Sequence, residues 1–345
     1  MSEPVPVTVL TGFLGAGKTT LLNRLLTTQH GKKIAVIVNE FGEIGIDNDL
    51  IVDADEEVFE MNNGCICCTV RGDLIRIIEG LMKRKGRFDA IVVETTGLAA
   101  PAPVIQTFFV DDDVKAATRL DAVVTVADAL HLPGQLAEAP EAVEQIAFAD
   151  IILLNKTDLV TEHSLKALEA RVRTINPTAR ILRTERSSVD PTVVLDQRAF
   201  QLDRILEQDE HFLHDHGHDH HHHDHDHGHD HHHHHDHGTS AENHIAAANI
   251  SSVSVQTDKL INPQKLLPWL DKLTQEQGPD LLRMKGVLAF PDEPKRFVVQ
   301  SVHMIMEGDV QRDWRPDEPR VSRIVFIGRN LDGDALRAGF LACAA

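Results

Sequence analysis

The sequence predicts an α/β protein in which a mostly parallel sheet, covered by helices on both faces, is followed by a smaller α+β domain. Over residues 5–183, short β-branched runs alternate with longer stretches of helical periodicity, which is the pattern of a parallel sheet. A glycine-rich segment lies between the first predicted strand and the first predicted helix. The composition changes abruptly near residue 207, where histidine and aspartate replace apolar residues. Together these observations predict two folded domains joined by a polar linker.

The predicted elements place the domain boundaries. We expect a first domain over residues 1–206, a disordered linker over residues 207–244 and an α+β domain over residues 245–345. The predicted strands of the first domain are residues 5–10, 34–38, 90–93, 122–126, 151–154 and 179–182. The predicted strands of the second domain are residues 253–255, 286–290, 297–302 and 323–327. Its predicted helices are one that begins at residue 263, with proline in its first turn, and a closing helix at residues 334–341. Because ligands of open parallel sheets bind at the carboxyl ends of the strands, the polar motifs just after the strands form the candidate site.

Composition excludes several classes of protein. The 345-residue chain has a formal net charge of −19, which argues against a nucleic-acid partner. No apolar run approaches the roughly 18 residues of a membrane-spanning helix, and the first ten residues lack the basic start of a signal peptide. Three of the four cysteines lie within four positions, where they cannot easily pair with one another. We therefore expect a cytoplasmic protein whose cysteines serve metal or redox chemistry.

The first motif is a phosphate-binding loop. Residues 12–20 read G-F-L-G-A-G-K-T-T and fit the pattern G-x-x-x-x-G-K-[ST] at a junction of strand and helix. Its glycines let successive backbone N–H groups turn toward phosphate oxygens, above a helix N-terminus with partial positive charge. Lys18 is expected to reach the β- and γ-phosphates, and the Thr19 hydroxyl to ligate Mg²⁺. The predicted phosphate-binding residues are Gly12, Gly15, Ala16, Gly17, Lys18, Thr19 and Thr20.

The second motif indicates which base is bound. Residues 155–158, directly after a predicted strand, read N-K-T-D. Guanine presents N1–H and N2–H₂ as parallel donors that the Asp158 carboxylate can accept together, whereas adenine has no donor at N1 and would leave that charge unpaired. Asn155 and Lys156 are expected to support the loop and the face of the base. The motif therefore favours GTP; the alternative is an ATP-using kinase or transferase, in which Asp158 would not set a guanine preference.

Acidic residues follow two other predicted strands. Glu94 comes after residues 90–93 and is expected to face Mg²⁺, directly or through water, with Gly97 offering its N–H to a γ-phosphate; a helix cap is the alternative role of Glu94. Residues 39–47, after the strand at 34–38, form a glycine-broken acidic segment. This segment is either a switch whose carboxylates contact the metal or the attacking water, or an acidic surface loop. The candidate catalytic residues are Lys18, Glu43, Asp47 and Glu94.

Residues 64–68 read G-C-I-C-C and form a candidate metal site. The three thiolates can converge on one ion only if the backbone turns sharply, which Gly64 permits. Thiolates favour Zn²⁺, Cu⁺ and other borderline-to-soft ions, and three sulfurs leave one tetrahedral position for a carboxylate, water or a ligand from a client protein. The candidate ligands are Cys65, Cys67, Cys68, Glu43 and Glu40. The alternatives are buried apolar cysteines or a redox pair.

A histidine tract occupies the linker. Residues 211–237 contain seventeen histidines interleaved with aspartates and no aliphatic residue after Leu213, so the tract cannot bury a core. Neutral imidazoles bind Zn²⁺, Ni²⁺, Co²⁺ or Cu²⁺ at pH 7, which makes the tract a candidate for weak metal binding near the folded site. A polar linker with incidental histidines is the alternative. The candidate tract ligands are His220, His221, His222, His223, His231, His232, His233, His234 and His235.

With these motifs the chain resembles the CobW family of phosphate-loop GTPases, the metal-insertion and metallochaperone group related to the hydrogenase and urease nickel-insertion GTPases. The resemblance covers nearly the whole chain. It rests on the motifs at residues 11–20, 39–43, 64–68, 94–97 and 155–158, the histidine-rich linker and the C-terminal domain. It implies slow intrinsic GTP hydrolysis, Zn²⁺ or Co²⁺ at the cysteine motif and nucleotide-controlled delivery to a client protein. Some relatives carry an additional glutamate where this chain has Val38, so a metal ligand at that position is lost here.

The sequence therefore supports a GTP-hydrolysing metallochaperone that uses GTP, Mg²⁺ and Zn²⁺ or Co²⁺ and has a metal-dependent client protein as its partner. The alternative is a metal store that uses the histidine tract, with nucleotide binding serving assembly. In the first hypothesis GTP and Mg²⁺ order residues 39–47. Hydrolysis by water then releases this segment and changes how tightly the cysteine site binds its metal ion. The sequence is compatible with a homodimer. Neither nucleic acid nor a membrane is an expected partner.

Overall fold

The computed structural model describes residues 3–38, 58–60, 69–83, 88–198, 249–316 and 318–345. Some predicted site residues lie outside these ranges: Glu40, Glu43, Asp47, Cys65, Cys67, Cys68 and the histidine tract at residues 211–237. The linker predicted at residues 207–244 also lies outside the described residues. The roles assigned to all of these residues stay predictions.

The described part of the first domain contains a seven-stranded sheet in which every neighbouring pair of strands is parallel. Its strands are β1 (Val5–Thr11), β2 (Ile34–Val38), β3 (Val58–Glu60), β4 (Ala90–Glu94), β5 (Thr118–Asp128), β6 (Ile151–Asn155) and β7 (Arg180–Arg183). Their order across the sheet is β3-β2-β4-β1-β5-β6-β7. All six predicted strands are confirmed, β5 is longer than predicted at both ends, and the short strand β3 is one that the sequence does not predict.

Helices cover both faces of this sheet. They are α1 (Lys18–Thr27), α2 (Thr69–Met82), α3 (Ala102–Val110), α4 (Asp112–Ala117), α5 (Leu132–Glu138), α6 (Pro140–Phe148) and α7 (Glu162–Ile175). Leu21 and Leu25 of α1 share a buried cluster with Leu10 of β1, whereas Val7 and Val9 of the same strand lie in the cluster on the other face. Both faces of β1 are therefore buried, as expected for a parallel sheet. Among the residues that the structure describes, no helix has the length and apolar character that crossing a bilayer requires.

The second domain is built on a five-stranded antiparallel sheet. Its elements are β8 (Ile250–Thr257), α8 (Pro263–Gln277), β9 (Leu281–Leu288), β10 (Lys295–Val302), β11 (Ile305–Asp313), β12 (Ser322–Arg329) and α9 (Gly333–Ala342), with strand order β11-β10-β9-β12-β8. The predicted start of α8 at Pro263 is confirmed, and the Asn262 side chain caps it by accepting a hydrogen bond from Gln264 N (2.8 Å). The prediction is wrong for β9, which begins at Leu281 rather than residue 286, and it misses β11.

A buried ion cluster joins the two sheets. Asp150, which directly precedes β6, is fully buried and accepts hydrogen bonds from Arg283 and Lys285 of β9. Arg283 also donates to the carbonyl oxygen of Phe148, the last residue of α6. Burial and the neighbouring Arg283 charge lower the pKa of Lys285 to about 8, although Asp150 opposes this shift. Because a buried charge is stable only when it is paired, these contacts fix the end of α6 and the start of β6 against β9.

Candidate nucleotide site

The three glycines of the loop between β1 and α1 have positive φ angles, and at two of them a side chain would also collide with a neighbouring residue. Gly12, Gly15 and Gly17 have φ angles of 140°, 72° and 112°. A Cβ atom on Gly12 would lie 2.1 Å from the carbonyl oxygen of Val126 in β5, and one on Gly17 would lie 2.5 Å from Asn155 Nδ2. The loop therefore lies directly on the carboxyl ends of β5 and β6, and the N-terminus of α1 opens into it.

Lys18 folds back over this loop. Its ammonium donates hydrogen bonds to the carbonyl oxygens of Gly12 (2.8 Å) and Phe13 (3.3 Å). Burial lowers the pKa of Lys18, and the negative charge of Glu94 opposes part of that shift. Glu94 is the last residue of β4, is only 8% exposed and lies level with Leu10 of β1. The ammonium and the carboxylate predicted to act on phosphate and Mg²⁺ thus lie beside the same loop.

The other predicted phosphate-loop residues differ in their exposure. Ala16 is fully buried at the base of the loop. Thr19 and Thr20 lie in the first turn of α1, where Thr19 is half-buried and Thr20 is exposed. Thr19 is therefore positioned at the mouth of the loop, and its contact with Mg²⁺ stays a prediction.

Asn155 ties the phosphate loop to the loop that follows β7. Its side chain is 2% exposed, and Nδ2 donates to the carbonyl oxygen of Ala16 (2.9 Å). Its Oδ1 accepts from the backbone N–H of Ser187 (2.7 Å) and from Thr184 Oγ1 (3.2 Å). Ser187 Oγ in turn donates to the carbonyl oxygen of Gly17 (2.9 Å). Asn155 therefore fixes the position of the phosphate loop, whereas its role beside the base stays a prediction.

Lys156 and Asp158 lie in the loop that follows β6. Lys156 has a φ of 62°, and its ammonium donates to Asp128 Oδ2 at 2.6 Å. Asp128 ends β5 and also accepts hydrogen bonds from His131 Nδ1 (3.0 Å) and two backbone N–H groups. Burial alone would raise the pKa of Asp128, but these hydrogen bonds outweigh it and hold the pKa below its ordinary value. Asp158 is exposed in a short 3-10 turn, where its carboxylate is accessible to a ligand.

The loop after β4 packs against the phosphate loop. A Cβ atom on Gly97 would lie 2.7 Å from the backbone nitrogen of Leu14 and equally close to its side chain, so this approach requires glycine. Gln145 of α6 donates from Nε2 to the carbonyl oxygens of Gly97 (3.1 Å) and Ala99 (3.3 Å). Gly97, the predicted γ-phosphate contact, is thus held between the phosphate loop and α6.

Three residues of this site were missed by the sequence analysis: Asp128, Gln145 and Ser187. Asp128 carries the same signal as Glu94, a carboxylate at the carboxyl end of an apolar strand, and could have been found by it. Gln145 and Ser187 lie outside the recognised motifs, and only the fold brings them to Gly97 and Asn155.

The described residues contain no group of three or more His, Cys, Asp or Glu side chains that could hold a metal ion. The predicted thiol ligands lie outside them, but the elements on either side of these thiols are described. β3 ends at Glu60, which lies level with Val38 of β2 and, through it, with Glu94; α2 begins at Thr69. The chain therefore leaves β3 toward the cysteine segment, residues 61–68, at the carboxyl ends of the strands, where the phosphate loop also lies.

Comparison with known proteins agrees with this geometry. Residues 6–183 match the family model for the CobW/HypB/UreG nucleotide-binding domain, and residues 250–344 match that for the cobalamin synthesis protein cobW C-terminal domain. The zinc chaperone YjiA of Escherichia coli K12 is 34% identical over 345 residues, 98% of each chain. The zinc-regulated GTPase metalloprotein activator 1 of Schizosaccharomyces pombe is 43% identical over 206 residues, 57% of this chain and 50% of that protein. A crystal structure of Zn(II)-bound YjiA GTPase from E. coli has a TM-score of 0.74 at 30% identity and covers both chains fully.

The two family matches correspond to the two sheets of the structure. The nucleotide-binding match spans the parallel sheet with its phosphate loop, and the second match spans the antiparallel sheet. The E. coli relative aligns along nearly the whole chain. The resemblance inferred from the motifs is thereby confirmed: the chain belongs to the CobW/HypB/UreG family and carries the CobW C-terminal domain.

Proposed function

We propose that this protein is a GTPase that serves as a zinc chaperone, binding Zn²⁺ at its C-x-C-C motif and releasing it to a client protein under control of the bound nucleotide. One observation carries the proposal: the phosphate loop and Glu94 lie at the edge of the sheet from which β3 leads into the cysteine motif. The names of two relatives, a zinc chaperone and a zinc-regulated GTPase metalloprotein activator, support it.

Lys18 supplies a positive charge at the phosphate end of the proposed site. The Lys18 ammonium has three N–H donors and can exchange its contacts with Gly12 and Phe13 for oxygens of the β- and γ-phosphates. Water attacks the γ-phosphate, and Lys18 neutralises the charge that develops on the phosphate oxygens. We assign the orientation of this water to Glu43 or Asp47.

The donor set beside the loop fits Mg²⁺. This ion prefers oxygen ligands, and α1 and β4 offer the Thr19 hydroxyl and the buried Glu94 carboxylate. When bound, Mg²⁺ supplies charge neutralisation at the β- and γ-phosphates. Because Glu94 also stabilises the charge on Lys18, a change at Glu94 affects both partners.

The base end of the site fits guanine. The exposed Asp158 carboxylate can accept both N1–H and N2–H₂ of guanine. Hydrogen bonds from Asn155 hold the phosphate loop, and the ion pair between Lys156 and Asp128 holds the base loop. The loops proposed to bind the two ends of the nucleotide are thus fixed to one another.

Zn²⁺ is the cargo in this proposal. Cys65, Cys67 and Cys68 supply three thiolates, and Glu43, Glu40, water or a ligand from the client completes the tetrahedron. Co²⁺ accepts the same donors. An incomplete protein ligand set allows a client ligand to enter, which suits transfer. Control by nucleotide requires the Zn²⁺ affinity to differ between the GTP and GDP states, since a ligand with equal affinity for both states shifts nothing.

Metal stoichiometry and GTP turnover test the proposal together. The full chain should hydrolyse GTP slowly, and Lys18→Met should abolish hydrolysis. After deletion of residues 211–237 the protein should retain one tightly bound Zn²⁺, and the additional substitution Cys67→Ser should release it. No GTP turnover, or no Zn²⁺ retained without the tract, would contradict the proposal.

The histidine content of residues 211–237 favours metal storage as a second candidate. A store should lose most of its metal capacity when the tract is deleted, and the remaining ion should not respond to Cys67→Ser. The same measurements therefore separate the two functions.

A further inference from the structure

We propose that Gln145 is a positioning residue for GTP hydrolysis. It connects the loop after β4 to α6, the helix that the C-terminal domain contacts. The inference rests on the proposed GTPase activity. It assigns to the C-terminal domain a direct influence on the rate of hydrolysis. Three sets of contacts support it.

The first set holds the loop after β4. The Gln145 side chain is 2% exposed, and its amide donates to the carbonyl oxygens of Gly97 and Ala99 at 3.1 and 3.3 Å. The N–H of Gly97 is the group expected to contact the γ-phosphate. The Gly97 N–H shares a peptide plane with the carbonyl of Thr96, which accepts a hydrogen bond from Ala99 N (3.1 Å). By binding the Gly97 and Ala99 carbonyls, Gln145 holds the turn that fixes this plane. Gln145 therefore orients a predicted phosphate donor without touching the phosphate.

The second set makes α6 a rigid support. The backbone carbonyl of Gln145 accepts a hydrogen bond from Thr125 Oγ1 of β5 (2.8 Å). Asn176, which is fully buried, donates from Nδ2 to the carbonyl oxygens of Ile146 and Ala149, both at 2.8 Å, at the C-terminal end of the helix. Because both the middle and the end of α6 are held, a displacement of the helix would be transmitted to the Gln145 amide.

The third set comes from the C-terminal domain. Arg329 of β12 pairs with Glu144, the residue next to Gln145. At the end of the same helix Arg283 of β9 donates to the carbonyl oxygen of Phe148. The antiparallel sheet therefore contacts α6 at two points, and adjacent residues of α6 contact Arg329 on one side and the loop after β4 on the other. Packed side chains and hydrogen-bond networks of this kind can carry energetic coupling between distant sites.

Steady-state GTP hydrolysis tests the inference in the full-length protein. Gln145→Met keeps the length of the side chain and removes both N–H donors. We expect kcat to fall on the order of tenfold, as expected for the loss of neutral hydrogen bonds in a buried site, while KM for GTP and the affinity for GDP stay within about twofold because the phosphate and base loops are unchanged. Gln135→Met, in α5, is the matched control and should behave as wild type.

The contribution of the C-terminal domain is measured with Arg329→Gln. We expect kcat to fall by about two- to threefold, as for loss of a partly exposed ion pair, and to show no further fall when it is combined with Gln145→Met. Additive effects of the two substitutions would contradict the link between them.

The outcomes separate this inference from the proposed function. A wild-type protein that hydrolyses GTP no faster than Lys18→Met would overturn both. An active wild type with an unchanged kcat in Gln145→Met would overturn the inference alone, and so would equal losses of GTP and GDP affinity, which indicate a purely structural role. If Gln145→Met fails to fold, an unchanged kcat in Arg329→Gln would overturn the link to the C-terminal domain.

Discussion

Replacing Asn155 with alanine should weaken GTP and GDP binding by the same factor. The side chain is buried and makes three hydrogen bonds, at 2.9 Å to Ala16, 2.7 Å from Ser187 and 3.2 Å from Thr184. Alanine removes all three and leaves the carbonyl oxygen of Ala16 and the N–H of Ser187 without this partner. The phosphate loop then loses its connection to the loop after β7.

The magnitude follows from the number of bonds. A neutral hydrogen bond contributes about 1 kcal/mol net, so the three together contribute about 3 kcal/mol. We expect this loss to divide between folding stability and nucleotide affinity. That division predicts a fall in affinity on the order of tenfold for both nucleotides and a decrease of a few degrees in Tm.

Titration with fluorescent GDP and a fluorescent non-hydrolysable GTP analogue, alongside thermal unfolding, measures both parts. Asn176→Ala is a matched control, because Asn176 is also a buried asparagine with several hydrogen bonds but caps α6; it should lower Tm at least as much and leave nucleotide affinity unchanged. Asn155→Asp, which keeps the acceptor for Ser187 and loses the donor to Ala16, should have an intermediate effect. Unchanged affinity in Asn155→Ala, or a loss confined to GTP, would refute the reasoning.

Three further predictions concern the base site and the ion cluster between the domains. Asp158→Asn places an N–H₂ donor against the donors of guanine, so competition titration should show GTP affinity at least about tenfold lower and xanthosine triphosphate affinity higher; an unchanged guanine preference would exclude the role of Asp158. Asp150→Asn leaves two buried cations without their carboxylate and should lower the free energy of unfolding in urea by about 3–5 kcal/mol. Lys285→Met keeps the Arg283–Asp150 pair and should lower the free energy of unfolding much less. A larger loss in Lys285→Met than in Asp150→Asn would count against the assigned pairing. Folding lowers the pKa of Lys285 from 10.5 to about 8, so between these pH values the unfolded chain binds more protons than the folded protein. The contribution of Lys285 to the free energy of unfolding should therefore rise with pH across this window, and Lys285→Met should remove the rise. An identical pH profile of stability in both proteins would show that Lys285 is not the source.

Apolar runs predict several strands of the parallel sheet closely. β2 and β6 read as uninterrupted apolar runs because helices cover both sides of the parallel sheet. β11 lies at the edge of the antiparallel sheet and is largely solvent-facing, so its residues show no alternation. The beginning of β5 was missed because it contains a buried charge, Asp121, which pairs with Arg119 and accepts backbone hydrogen bonds from residues 197 and 198.

The candidate site divides in the same way. Lys18, Gly97 and Asn155 belong to short motifs whose local chemistry is visible in the chain itself. Contacts between distant segments are not visible there: Asp150 and Arg283 are separated by 133 positions, and no periodicity or motif relates them. The link from α6 to the C-terminal sheet could therefore be recognised only once the fold was known.

The central claim is that filling the phosphate loop changes the affinity of the cysteine motif for Zn²⁺. Competition against a zinc chelator measures this affinity directly in protein saturated with a non-hydrolysable GTP analogue and in protein saturated with GDP. We predict a difference of at least about tenfold, corresponding to about 1.4 kcal/mol of coupling, which Cys67→Ser abolishes. Equal Zn²⁺ affinity in the two nucleotide states would contradict the account.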